Sequence, residues 1–394
     1  MADRTIFRTR RRFPWRLFAF VLVAAVALLT ASALIGSVTP RGHRTSPPAV
    51  RRKPHRRQRT RRPSKAPKSS DGARPPQFLV VSFDGSGGTQ LWPYWRDVAL
   101  RAHAHFTFFV SGVYLLAEDR RNLYHPPEHS VGFSAIGFAQ PFDGLTAEAR
   151  VGETLRQIGL AYREGNEIGT HFNGHFCAPL PESVGDWTSD DWRHELDQFR
   201  MLMFDAGKNN GLDPPVELPF GPAEVTGERT PCLEGKLPAL LPVLSERGFR
   251  YDASRIAPLG SWPYRVRGGL WEFPLQLIPF VGHTYQVVSM DYNFFYNQTI
   301  AGLSPAVSEQ QAYESLWRAF LTTYHGNRAP LSFANHFETW DDRAYDKALA
   351  RVVVQACRLP EVRCVSFREL ADWLEAQPPA RLKRYESGLF PAYR

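Results

Sequence analysis

Five strand-like runs, FLVVSF (78–83), HFTFFV (105–110), GNEIGT (165–170), APLSFA (329–334) and RCVSF (363–367), alternate with stretches of helical periodicity. The helical stretches are 146–165, 189–207, 308–326 and 342–357. Ser189 and Ser308 stand where N-caps belong, and Gly207 and Gly326 where helices stop. Parallel strands need long crossovers, which helices supply, so the alternation predicts an α/β fold with a parallel sheet or barrel. The stretch 256–306, rich in aromatic residues, Pro and Gly, reads as irregular, with short strands in LWEFPLQLI and TYQVVSM. No internal repeat is visible.

In parallel α/β folds the chemistry collects at the carboxyl ends of the strands. Asp84 follows FLVVSF directly, His171 follows EIGT and His336 follows LSFAN. Three metal-ligating or proton-transferring residues therefore stand at three strand exits. His175 lies four residues beyond His171. On a continuing strand the two would be about 13 Å apart, too far to share an ion. HFNGH must then coil as it leaves the strand, which Asn173 and Gly174 favour. Two neutral imidazoles with a carboxylate suit zinc or a similar divalent ion, and Asp84 is the nearest carboxylate on this argument.

The first 76 residues differ in kind. Arg4, Arg8, Arg10, Arg11, Arg12 and Arg16 precede an uncharged run over 17–38. At about 1.5 Å per residue that run spans roughly 33 Å, enough to cross a bilayer as a signal anchor. A cleaved signal peptide is the alternative, with ASA at 31–33 as the cleavage site. Residues 39–76 are Arg, Lys, Pro and Ser with little to bury, so the segment is expected to be a disordered linker. Residues 1–76 hold 19 Lys and Arg against 2 Asp and Glu; the remainder holds 29 against 37. The overall +9 thus hides a basic tether on a mildly acidic globule, which argues against nucleic acid as a partner. Anionic lipid headgroups or wall polymers suit the tether, as does plain solvation. The expected layout is a basic N-terminus (1–16), the apolar segment (17–38), the linker (39–76), a catalytic domain (77–376) and a C-terminal tail (377–394). The four cysteines lie in the globule. Behind an export signal they permit two disulfides, one of them between Cys357 and Cys364 across CRLPEVRC, with four buried thiols as the alternative.

VSFDG (81–85), EIGTHFNGH (167–175), GERTPCLEG (227–235) and LSFANHF (331–337) occur in the order and spacing of the polysaccharide deacetylases, carbohydrate esterase family 4. GFRYDAS (248–254), LWEFPL (270–275) and CVSFRELADWL (364–374) extend the resemblance over 77–376. It implies a distorted (β/α) barrel and the metal-dependent removal of N-acetyl groups from a cell-wall or extracellular polysaccharide. The cofactor would be a divalent metal, zinc or cobalt, on His171 and His175. Asp84 would serve as base or as a third ligand, and His336 as the acid that protonates the leaving amine. Arg229 would orient a carboxylate, and the backbone N–H after Pro231 would stabilise the oxyanion; Cys232 stands there in place of the usual tyrosine. Trp271 would wall the sugar pocket and Asp291 would orient His336. Cys177 and Cys232 fall beside the site, where a disulfide would brace both loops.

The chain departs from the family at Gly85, where a second aspartate would serve as metal ligand. Asp84 must then act either as base or as ligand. A degenerate family member that binds wall glycan without hydrolysing it, and an amidase acting on a small non-sugar amide, are the alternative functions.

Overall fold

Strand β1 (Gln77–Gly85) buries every residue except the last, which is why FLVVSF is unbroken rather than alternating. A parallel strand inside a sheet covered on both faces has no solvent side. The structure is a computed structural model and describes residues 74–388. The apolar segment and most of the linker lie outside the described residues. Among those described, no helix is long and apolar enough to cross a membrane.

The other strands are β2 (Thr107–Val110), β3 (Glu167–Thr170), β4 (Gly227–Glu228), β5 (Tyr251–Asp252), β6 (Ile256–Pro258) and β7 (Tyr264–Arg265). They continue with β8 (Trp271–Glu272), β9 (Leu275–Pro279), β10 (Gln286–Val288), β11 (Leu331–His336) and β12 (Val362–Cys364). The main sheet runs β11-β1-β2-β3-β4-β5-β8-β7, with β12 beside the start of β1. Every pair in it is parallel except β7–β8. The hydrogen-bonded path ends at β7 and β11 without joining them, so the sheet is a curled half-barrel. A small sheet, β10-β9-β6, meets it through a bridge between Met290 and Ala334.

The helices are α1 (Leu91–Ala102), α2 (Ala147–Arg163), α3 (Ser189–Phe204), α4 (Leu237–Glu246) and α5 (Asp291–Ile300). After them come α6 (Pro305–His325), α7 (Trp340–Ala356), α8 (Phe367–Glu375) and α9 (Pro379–Glu386). Alternate residues of β1 serve two cores. Leu79, Val81 and Phe83 pack with α1, α2, α6 and α7, whereas Phe78 and Val80 pack with α8. The two-residue period of a strand makes that division.

Five sequence expectations need correction. Gly207 stops no helix: α3 ends at Phe204, and Gly207 lies within the single helical turn Ala206–Asn209. The cap of α3 is Thr188, whose hydroxyl accepts from the Asp191 N–H in a capping box; the Ser189 hydroxyl instead donates to the Ala239 carbonyl. Helix α6 begins at Pro305, leaving Ser308 buried in its first turn. The stretch 256–306 contains α5, whose aromatic residues surround the helix and hide its period. Finally, 377–388 is no free tail: α9 buries Tyr385, which stacks near Trp262 and Trp373.

Candidate active site

Register brings the site together. Asp84 is the Cα partner of both His336 and Phe109, and Thr170 that of both Val110 and Glu228. Strands β11, β1, β2, β3 and β4 thus stop at a common edge. There Asp84, His171, His175 and His336 line one groove of about 530 Å³.

Arg229 is the hub of the groove floor. Its Nη1 donates to Asp84 Oδ1 and to Ser82 Oγ, both at 2.8 Å, and its Nε donates to the Ala253 carbonyl at 2.8 Å. The guanidinium also lies over the Phe109 ring, and it is fully buried. Burial alone would raise the Asp84 carboxyl, but Arg229, with His171 and His336, holds it below its ordinary value. Asp84 is therefore an anion with Oδ1 committed to Arg229.

His171 Nδ1 lies 2.8 Å from the Arg229 carbonyl, an acceptor, so Nδ1 carries the proton and Nε2 keeps its lone pair. His175 has Nδ1 turned toward Cys177 Sγ at 3.4 Å. Burial lowers the pKa of both, that of His175 to about 3 with help from the charges of its histidine neighbours. The HFNGH segment does coil, though not as a helical turn. Phe172 and His175 adopt left-handed conformations, and the two imidazole centroids end 5.2 Å apart. Glu195 of α3 clamps this coil, accepting from the Asn173 and Gly174 N–H groups and the Tyr124 hydroxyl. Burial lifts Glu195 to about 7 against those hydrogen bonds. Gly174 is required there, because a Cβ would come within 2.4 Å of the Phe176 ring.

Across the groove, Asp291 accepts from the His336 backbone N–H and faces His336 Nδ1, each at 2.7 Å. Burial works against the imidazolium, but the Asp291 carboxylate overrides it and lifts His336 to about 9. Trp340 and Tyr292 flank the imidazole, with ring centroids at 5.3 and 6.4 Å.

Three residues fall elsewhere than expected. Trp271 is 4% exposed, packs against Phe273, and carries Arg265 on its face at 3.9 Å, so it lies in the core and not on the groove. Pro231 and Cys232 form a short turn, with Cys232 in a left-handed conformation, and neither lines the groove. Cys232 is disulfide-bonded to Cys177, and Cys357 to Cys364. The sulfurs of the first bridge gather within 4.8 Å of a His175 nitrogen, but as a disulfide they offer no thiolate to a metal.

At Gly85 the backbone has φ +83°, and a Cβ would stand 3.3 Å from the Tyr114 ring. The space and conformation an aspartate would need are taken by Tyr114 and a glycine-type turn. The donor types that remain, two neutral imidazoles and a carboxylate, are those a zinc-type ion takes, but among the described residues the donor atoms of Asp84, His171 and His175 are not drawn within 4.8 Å of one another as those of His175, Cys177 and Cys232 are.

No family model matches the chain, and no curated protein matches it. Solved structures similar to it in fold are polysaccharide deacetylases. One is a putative polysaccharide deacetylase from Mycobacterium smegmatis, with 18% identity, 78% of this chain and 95% of that one covered, and a TM-score of 0.47. Another is the peptidoglycan deacetylase PdaC from Bacillus subtilis, with 11% identity, 78% and 96% covered, and a TM-score of 0.38. A third is a family 4 pseudoenzyme from Bacillus anthracis, with 11% identity, 75% and 66% covered, and a TM-score of 0.39. The likeness is remote, and the chemistry proposed below rests on this chain's own side chains.

Proposed function

We propose that this chain is a metal-dependent deacetylase that hydrolyses N-acetyl groups of a cell-wall or extracellular polysaccharide, releasing acetate and leaving an amine. One observation carries the reading: a buried anionic carboxylate and two neutral imidazoles share a groove with an imidazole paired to its own aspartate. His171 and His175 would hold a divalent ion such as zinc or cobalt, which when bound polarises the acetamide carbonyl and acidifies water. Asp84, with Oδ1 fixed by Arg229, accepts the proton of the attacking water through Oδ2. His336, kept as imidazolium by Asp291, gives its proton to the departing amine. Trp340 and Tyr292 beside His336 offer apolar faces to a sugar ring.

Two disulfides suit an oxidising compartment. With the apolar run at 17–38 they support a domain held outside the cell membrane, or secreted after cleavage. The basic linker would then face anionic lipid or wall polymer.

A second reading is favoured by Gly85: without a carboxylate there, the groove binds glycan and does not turn it over. Metal content and acetate release from N-acetylated glycans, for the full chain and His171→Ala, separate the two. Deacetylation is expected with about one ion per chain, and both readouts are expected to be lost in His171→Ala. No acetate with added Zn²⁺ or Co²⁺, and glycan binding unmoved by His171→Ala, would establish the binding module instead.

A further inference from the structure

The groove has a second wall that the proposed chemistry does not use. Arg150 and Thr154, one turn apart on α2, line it together with residues 136–142 of the preceding loop. Arg150 Nη1 donates to the Gln140 carbonyl at 3.0 Å, and the guanidinium lies 5.3 Å over the Phe142 ring. Among the described residues no carboxylate pairs with it, whereas the neighbouring arginine of the same helix, Arg156, pairs with Glu153. The other guanidinium of the site, Arg229, is spent on Asp84. Arg150 is therefore a positive charge, partly sheltered from water, without an acid to balance it and directed at the groove that holds the histidines. Phe142, 51% exposed, extends the wall with an aromatic face. A planar fork of this kind recognises a carboxylate in two parallel hydrogen bonds, which a neutral sugar hydroxyl cannot match.

We infer that Arg150 selects glycans in which the N-acetylated sugar carries, or neighbours, a carboxylate. The inference rests on the deacetylase reading of the same groove and specifies its substrate class. The carboxylate could belong to a lactyl ether on the reacting sugar or to an adjacent uronic acid; the guanidinium reads the same group in both.

The test compares three oligosaccharides of equal length with the metal-loaded full chain. These are N-acetylglucosamine alone, N-acetylglucosamine alternating with lactyl-bearing N-acetylmuramic acid, and N-acetylglucosamine alternating with glucuronate. Acetate release gives kcat/KM, and calorimetry gives affinity. At least one acidic glycan is expected to exceed the neutral one about tenfold in both. Which acidic arm gains identifies where the carboxylate sits. In Arg150→Gln, whose amide can still reach the Gln140 carbonyl, the ratio is expected to fall to near one, and Arg150→Lys is expected to restore part of it. Equal handling of all three glycans by the wild type, or a ratio that survives Arg150→Gln, overturns the inference. Arg150-dependent affinity for an acidic glycan without any acetate release would overturn the deacetylase reading and leave this one standing.

Discussion

Asp84 on β1 and the pair Glu228 and Glu272 on β4 and β8 are equally deep in one sheet, yet they are held in opposite states. Asp84 sits below its ordinary range because Arg229 bonds it. Glu228 is pushed far above its range, first by burial and then by Asp252, and Glu272 rises to about 10 for the same two reasons. Asp252 on β5 is the register partner of both. The cation is one residue away in sequence. Glu228 and Arg229 are consecutive on the same chain segment, so their side chains leave opposite faces of the sheet. The inner face receives the guanidinium and the anion it bonds; on the outer face, among the described residues, no cation pairs with Glu228 or Glu272, and both keep their protons. Burial sets a tendency, and the nearest counter-charge decides the outcome.

The largest expected effect comes from making the same isosteric change in both regions. Asp84→Asn is expected to lower acetate release about 10³-fold, since a base is removed. Glu228→Gln replaces a carboxyl that is already protonated and is expected to stay within about twofold. Equal losses would erase the distinction between the two faces.

The bridges give the next contrast, between the groove end of the sheet and its far end. Cys177–Cys232 closes 55 residues and Cys357–Cys364 closes 7. On chain entropy, losing the first costs about 4 kcal/mol and losing the second about 2. Denaturant unfolding of Cys177→Ser/Cys232→Ser and Cys357→Ser/Cys364→Ser should rank them so. The reverse order would mean that the HFNGH coil is held by Glu195 alone.

Asp291→Asn tests the second anion of the groove. Without it His336 loses its main charge partner, and turnover is expected to fall about 10²-fold. The acid must be protonated, so wild-type activity is expected to decline as pH rises through about 9. In the variant that alkaline limb should move down toward the ordinary histidine value of 6.5. A pH profile of kcat/KM reads this directly, and an unmoved limb would assign the proton to another group.

The smallest effect at neutral pH, and the sharpest in its pH dependence, belongs to Glu272→Gln. The folded chain keeps a proton at Glu272 up to about 10, which the unfolded chain releases near 4.5. The stability linked to it is complete below 4.5 and is lost as pH rises toward 10. Melting temperature between pH 5 and 10 should fall more steeply for wild type than for Glu272→Gln. Parallel curves would show that Glu272 is not held neutral.

The groove was legible where it depends on strand exits. Asp84, His171 and His336 were found because parallel strands end at one edge, and that rule needs only position. What came from elsewhere was not legible. Glu195 reaches the HFNGH coil from a helix that reads as an ordinary amphipathic surface element. Asp291 could be named only through the family resemblance, because the helix it opens has no visible apolar stripe. Trp271 was placed at the sugar pocket only through the family resemblance, with a core aromatic as the alternative; β8 turns it toward α8, and Trp340 stands beside His336 instead. Alternation of strand and helix left sheet and barrel open, since it does not count how many strands complete a circle; the structure has a curled half-barrel.

The adjacent Glu228 and Arg229 also bear on how the chain finds its pairing. A shift of β4 by one residue would turn Glu228 inward beside Asp84 and carry the guanidinium away to the outer face. Two anions would then face each other without a cation in a dry interior, a heavy penalty for so small an error. The pair thus works as a parity check written into the strand, and it rejects a misaligned sheet before any substrate is met.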